Sequence, residues 1–251
     1  MRRPPAALLI SAISAISAIA ACRAAPAPQK PPSWVALATV PAAAALEPVA
    51  ASALCVSSGS ITAAGTHALH VDEGGMRAEL TNDRSRTAEL AFVYRGPSTE
   101  TARLADGELR RQIGLKLRAQ DTCNIVYVMW HAEPRPGIVV QVKRNVGQAS
   151  RGECADRGYT LVKPRTVASV PAIERGVANV LRADLEGTSL RVSAGGLVIW
   201  QGDLPPEALS FDGPVGVRSD NGVFDFELRV PAGHATPSCG APGPRKKTPT
   251  P

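Results

Sequence analysis

The sequence predicts an all-β protein, a two-sheet antiparallel sandwich, and three observations carry that expectation. About ten short segments alternate apolar and polar residues with the period of two that half-buried strands show. Turn-forming clusters rich in Gly, Pro, Asp and Asn stand between them. No segment has the length and 3.6-residue period of an amphipathic helix, apart from a stretch at 173–182.

In chain order, the first element precedes the sandwich. Arg2 and Arg3 lead into an uncharged apolar run at 6–21, diluted by Ser11, Ser14 and Ser17 and followed by prolines. A membrane-spanning helix needs about 20 stiffly apolar residues, so the run fits a cleaved export signal instead. It ends Ile19-Ala20-Ala21-Cys22, which resembles the lipobox of bacterial lipoproteins. That resemblance implies lipidation of Cys22 and anchoring of an exported protein to the cell envelope, where more than one acyl chain holds a protein stably. By the same resemblance to bacterial lipoproteins, Arg23 in place of an Asp after the cysteine implies the outer membrane, in a periplasmic or surface-facing place. The expected organisation is a signal peptide at 1–21, an Ala/Pro-rich tether at 22–53, the sandwich at 54–239 and a disordered basic tail at 240–251.

Within the sandwich, the segment at 88–95 places Leu90, Phe92 and Tyr94 on one face. Next, Leu109, Arg111, Ile113, Leu115 and Leu117 alternate with Arg110, Gln112, Gly114, Lys116 and Arg118, a half-buried strand with one basic face. Further strands are expected at 124–130, 138–144, 159–163, 178–185, 189–194, 197–202, 214–219 and 223–230, with turns that include Gly195-Gly196 and Asp220-Asn221-Gly222.

Four cysteines remain once Cys22 is set aside, and an even number in an exported chain implies two disulfides. Of the three pairings, Cys123 with Cys154 brackets a local strand pair and Cys55 with Cys239 brackets the whole domain. A zinc site is disfavoured, because no two cysteines stand two to four residues apart and no His-x3-His element exists. Between Cys55 and Cys239 the chain carries 21 basic and 21 acidic residues, so the formal +6 resides in the flanks. A neutral domain gives no electrostatic warrant for nucleic-acid binding.

The run Gly114 to Asp121, followed by Asn124 and Tyr127-Val128-Met129-Trp130, resembles the central hairpin of laminin-G-like and thrombospondin C-terminal-type jelly rolls. Leu190 to Trp200 and Val215 to Asn221, with Phe224-Asp225-Phe226, are similar to later strands of the same concanavalin-like domains. The resemblance covers 88–230 and implies a jelly-roll sandwich. Lectins, matrix-binding modules, glycoside hydrolases and domains similar to 3-keto-disaccharide hydrolases share that architecture, so it does not choose a function. It also implies a structural calcium, for which Asp121, Asp220, Asn221 and Asp225 offer hard oxygens; turn chemistry explains three of those without a metal.

Catalytic signatures are missing from the sequence. Retaining glycosidases of this fold carry Glu-x-Asp-x-x-Glu, in which alternate residues set two carboxylates into one cleft, and no glutamate here is followed two residues later by aspartate. Neither a Gly-x-Ser-x-Gly elbow nor a His-Glu-x-x-His helix is present. No catalytic residue is therefore assigned. The expected ligand-binding face comprises Arg110, Gln112, Lys116 and Arg118, extended by Asn124 and Trp130 and by Gln141 and Lys143, because guanidinium and amide planes suit sugar hydroxyls and carboxylates and an aromatic ring suits a sugar's apolar face. The expectation is a lipid-anchored, non-catalytic module that binds carbohydrate or another envelope partner. A glycan hydrolase or lyase, and a structural envelope protein with a protein partner, are the alternatives.

Overall fold

A computed structural model describes residues 45–81 and 83–233. The expected signal, lipidation site Cys22, most of the tether, Cys239 and the basic tail lie outside the described residues.

The described residues are all-β, an antiparallel jelly-roll sandwich made from one strongly curled sheet. Its strands are β1 Leu46–Pro48, β2 Leu54–Ser58, β3 Thr62–Ala63, β4 Leu69–Leu80, β5 Thr87–Pro97, β6 Arg111–Leu117, β7 Ile125–Glu133, β8 Gly137–Lys143, β9 Tyr159–Leu161, β10 Thr166–Val167, β11 Ala178–Glu186, β12 Ser189–Ala194, β13 Leu197–Asp203 and β14 Gly216–Pro231. One turn of helix, α1 Arg151–Cys154, interrupts them between β8 and β9. The strand order is β10-β13-β12-β11-β5-β14-β6-β7-β8-β9, with β4 alongside β14 and β2 alongside β4.

The curl turns on β14. Its first half pairs with β6 and its second half with β5, while β4 accompanies both halves. At Asn221 the backbone adopts φ 54°, a left-handed conformation that asparagine tolerates better than most residues. Before it Val217 and Ser219 face the core, and after it Phe224, Phe226, Leu228 and Val230 do. The side-chain alternation therefore slips by one residue there. The sequence reads Asp220-Asn221-Gly222 as a turn between two strands; the structure makes it a bend within one strand, because a sheet that doubles back needs a strand common to both layers.

An outer layer of β10, β13, β12, β11 and β5 thus faces a second layer of β6, β7, β8 and β9. Leu90, Phe92, Leu181 and Val192 from the first interlock with Ile113, Leu115, Val128, Trp130 and Val140 from the second in a single buried cluster. Phe92 meets Trp130 edge-on at 5.6 Å between ring centroids and Phe224 at 6.1 Å, geometries that aromatic quadrupoles favour.

Other sequence expectations need adjustment. The segment at 173–182 is loop leading into β11, not helix. The packed domain begins before Leu54, since β1 pairs with the end of β14 and Val49 is fully buried; the apolar Leu46 and Val49 give this part of the expected tether something to bury. The 12-residue β4 is not among the strands expected above, because Asp72-Glu73-Gly74-Gly75 breaks the apolar alternation. The Cys123–Cys154 disulfide forms as expected. Cys55 is also disulfide-bonded, while Cys239 lies outside the described residues.

A candidate ligand cleft on the second layer

Register decides which side chains share the face of the second layer that points away from the core. Gln112 on β6 pairs with Asp220 on β14 and with His131 on β7. Gly114 pairs with Arg218 and Met129, and Lys116 with Gly216 and Tyr127. Outward from these, Tyr127 pairs with Gln141 on β8, Lys143 with Tyr159 on β9, and Arg218 with Arg77 on β4. Gly114 leaves no room for a side chain on this face, since a Cβ there would collide with the Val128 carbonyl oxygen.

Two segments wall this face. The β5–β6 connection is held by Asn221, whose Oδ1 accepts from the Ala102 amide (2.6 Å) and whose Nδ2 donates to the carbonyls of Ala102 (2.9 Å) and Arg110 (3.2 Å). The β8–β9 excursion carries α1 and is pinned by the Cys123–Cys154 disulfide and by Lys143, whose Nζ donates to the Ala155 carbonyl at 2.7 Å. Between them lies a cleft of about 590 Å³, bordered by Arg77, Arg103, Asp106, Arg110, Gln112, Met129, Gln141, Arg151, Asp156, Tyr159, Arg218 and Asp220 among others. A hollow of about 390 Å³ adjoins it, shares Arg110 and Gln141, and adds His131 and Arg135. Cavities of 300 to 1,000 Å³ are the usual size of small-ligand sites.

Asp220 organises the floor. It is 1% exposed and accepts from Arg77 Nη2 (2.7 Å), Arg218 Nε (2.8 Å) and Gln112 Nε2 (2.6 Å). Burial pushes its carboxyl pKa up, but Arg218, Arg77 and the hydrogen bonds outweigh that and hold it at about 2. Burial opposes the charge on Arg218 too, and Asp220 overcomes it, raising that guanidinium's pKa. Arg218 stacks over Tyr127 at 4.9 Å, and Tyr127 stacks on Tyr159 at 6.1 Å between centroids. His131 is pushed down to about 4, first by burial and then by Arg110, so it is a neutral imidazole at pH 7.

The sequence-predicted face is only partly assembled here. Arg110 and Gln112 border the cleft. Lys116 lies on the same face but is 1% exposed beneath an ion pair with Glu79; burial, with repulsion from Arg77, Arg218 and Lys143, drives its pKa well below the usual lysine value. Arg118 (φ 51°) turns away, donating through Nε to the carbonyls of Ala208 (3.1 Å) and Phe211 (3.0 Å). Asn124 is 2% exposed and ties Asp121, Gln148, Arg144 and Asn145 together. Trp130, 1% exposed, points into the core. Its β7 neighbours Tyr127 and Met129 take the cleft face, because β6–β7 pairing sets odd-numbered residues of β7 against even-numbered residues of β6. Nor is the strand half-exposed: Gln112 through Leu117 are all buried.

The four oxygen-bearing residues expected around calcium do not converge. Asp121 accepts from the Cys123 amide at 2.7 Å and from Asn124. Asp220 and Asn221 are committed as described above. Asp225 lies on another face between His70 Nδ1 and Arg95 Nε, each at 2.7 Å. Among the described residues no group of three or more His, Cys, Asp or Glu side chains could hold a metal.

Sequence reasoning missed Arg77, Arg151, Tyr159 and Arg218. The register signal that could have found Arg218 is its period-two relation to Asp220 on a strand whose other face is apolar. The described domain is thus an antiparallel β-sandwich with an arginine-rich polar groove on one layer. No family model and no curated protein matches the chain. Solved structures resemble it at low identity. A carbohydrate-binding module from Bacillus subtilis is 12% identical with a TM-score of 0.49, over 70% of this chain and 92% of that one. Domain 4 of an extracellular arabinanase from Geobacillus stearothermophilus, solved in complex with arabinotriose, is 10% identical with a TM-score of 0.40, over 71% and 82%. A tetrameric galectin from the sponge Cinachyrella sp. is 11% identical with a TM-score of 0.40, over 62% and 98%.

Proposed function

We propose that this protein is an exported, lipid-anchored binding module, tethered through Cys22, that holds carbohydrate in the cleft of the second layer and does no chemistry on it. The observation that carries the reading is the make-up of the cleft floor: guanidinium and amide planes of Arg218, Gln112 and Gln141 beside the half-buried ring of Tyr159. Planar polar groups satisfy sugar hydroxyls and an aromatic ring covers a sugar's apolar face. Binding is favoured over hydrolysis because each aspartate bordering the cleft is paired with an arginine: Asp106 with Arg110, Asp156 with Arg151 at 3.4 Å, and Asp220 with Arg77 and Arg218. A general acid needs a raised pKa, and that of Asp220 is depressed. In this reading structural calcium has no part in the cleft.

The test is a glycan panel against the oxidised full chain, with and without calcium, and with each supernatant assayed for released sugar. Binding without release, lost in Tyr159→Ala and indifferent to a chelator, is the expected result. Sugar release would turn the reading to a hydrolase or lyase, and silence across the panel to a protein partner. Anchoring is checked separately: a Cys22→Ser variant is expected to lose incorporated radiolabelled palmitate and to leave the membrane fraction.

A further inference from the structure

Resting on the carbohydrate-binding reading, we propose that the sugar is acidic, with a carboxylate received by the guanidinium fork of Arg218 on the cleft floor. The first observation is a charge imbalance. Two cations with restricted side chains, Arg77 and Arg218 (16% and 9% exposed), face one anion, Asp220 (1%), while the buried Lys116 is taken up by Glu79. Asp220 alone serves two arginines. A buried charge without a partner is costly, and one negative group entering the cleft balances the set.

The second observation is where that cation has capacity left. Among the described residues the only hydrogen bond from the Arg218 side chain is its Nε donation to Asp220 at 2.8 Å. One face of its guanidinium lies over Tyr127, and the residue borders the cleft with both Nη groups unspent. Parallel N–H donors of this kind match a planar carboxylate. The third observation is a neighbouring acceptor. Gln112, 2% exposed, gives its Nε2 to Asp220, and its Oε1 has no partner. An acceptor on the same floor calls for a donor, and a sugar acid brings hydroxyls beside its carboxylate. Arg103, exposed on the rim and without an ion pair among the described residues, adds positive charge at the entrance.

The experiment is calorimetric titration of the full chain with galacturonate-, glucuronate- and sialate-bearing oligosaccharides, their methyl esters, and sulfated neutral oligosaccharides. At least one acid is expected to bind about tenfold or more tighter than its ester, the worth of a charge-assisted hydrogen bond, with the preference shrinking as salt rises. Arg218→Met is expected to erase it. Because that variant disturbs a buried network, Gln141→Glu provides a second route: this half-buried side chain makes no hydrogen bond among the described residues and neighbours Tyr127 across the strand pair, so a carboxylate there competes with the ligand's and lowers the preference several-fold. Equal binding of acid and ester overturns the charge inference and leaves the module reading standing. A preference for sulfate over carboxylate, or one unchanged in both variants, overturns the assignment to the Arg218 fork. No binding to any sugar overturns both readings.

Discussion

The two layers of the sandwich bury their strands differently. In the outer layer β5 and β11 alternate: Leu90, Phe92 and Tyr94 are buried while Glu89, Ala91 and Val93 between them are partly open. In the second layer β6 and β7 are buried on both faces, from Gln112 to Leu117 and from Ile125 to Ala132, yet the face away from the core carries Gln112, Lys116, Tyr127 and His131. A sheet face that is covered without being apolar has to satisfy its polar groups with one another or with a ligand. The outer layer shows what a strand looks like when only packing matters; the second layer shows the cost of building a groove.

The contrast can be broken first at the shared core. Trp130→Ala removes the largest side chain the second layer sends inward and is expected to lower unfolding free energy by about 3 to 5 kcal/mol in urea titration. A loss below about 1 kcal/mol would mean that the apolar face of β7 is not where the sandwich holds together. Next comes the wall. Replacing Cys123 and Cys154 together with serine opens a loop with a sequence separation of 31 residues, expected to cost about 3 to 4 kcal/mol by chain entropy and to weaken glycan binding, because Arg151 and Asp156 stand on that excursion. Stability lost with binding intact would exclude the wall from the site.

Asp220→Asn sharpens the comparison at the floor. It leaves Arg77 and Arg218 facing each other and is expected to cost about 3 kcal/mol. The folded pKa of Asp220 is depressed, to about 2 from its ordinary 3.8, so its contribution is fully present above about pH 4 and is lost as pH falls toward 2. The wild type should therefore shed about 2 kcal/mol across that window, while the asparagine variant lacks this component. Parallel acid-unfolding curves would show that Asp220 is not held as an anion. The smallest effect belongs to the outward surface. Asp225, 30% exposed, has an open-surface ion pair with Arg95 and a hydrogen bond with His70, and Asp225→Asn is expected to change stability by less than about 1 kcal/mol.

Most strands were legible because alternation survives wherever one face is apolar; the expected 189–194 coincides with β12. Arg110 and Gln112 were legible as a polar face for the same reason. Trp130 lies in the core and not on that face, since period two fixes which residues of β7 go together and not which set turns inward. Lys116 and Arg118 share the right parity, but an ion pair and a left-handed turn take them out of reach. Arg77, Tyr159 and Arg218 were not legible, as they come from β4, β9 and β14 and meet Gln112 only through pairings that span the chain.

By itself the sequence determined the local and the covalent: the alternation that makes strands, the glycines and asparagines that permit turns, and a Cys123–Cys154 pairing short enough to anticipate. The tertiary structure alone decided that β14 belongs to both layers, that Asp220 lies between two arginines instead of in a turn, and that Tyr159 borders a cleft. Hydrophobic periodicity is a property of neighbours along the chain, whereas a groove is made by register between strands distant in sequence, and register is settled only when the whole sheet closes over its core.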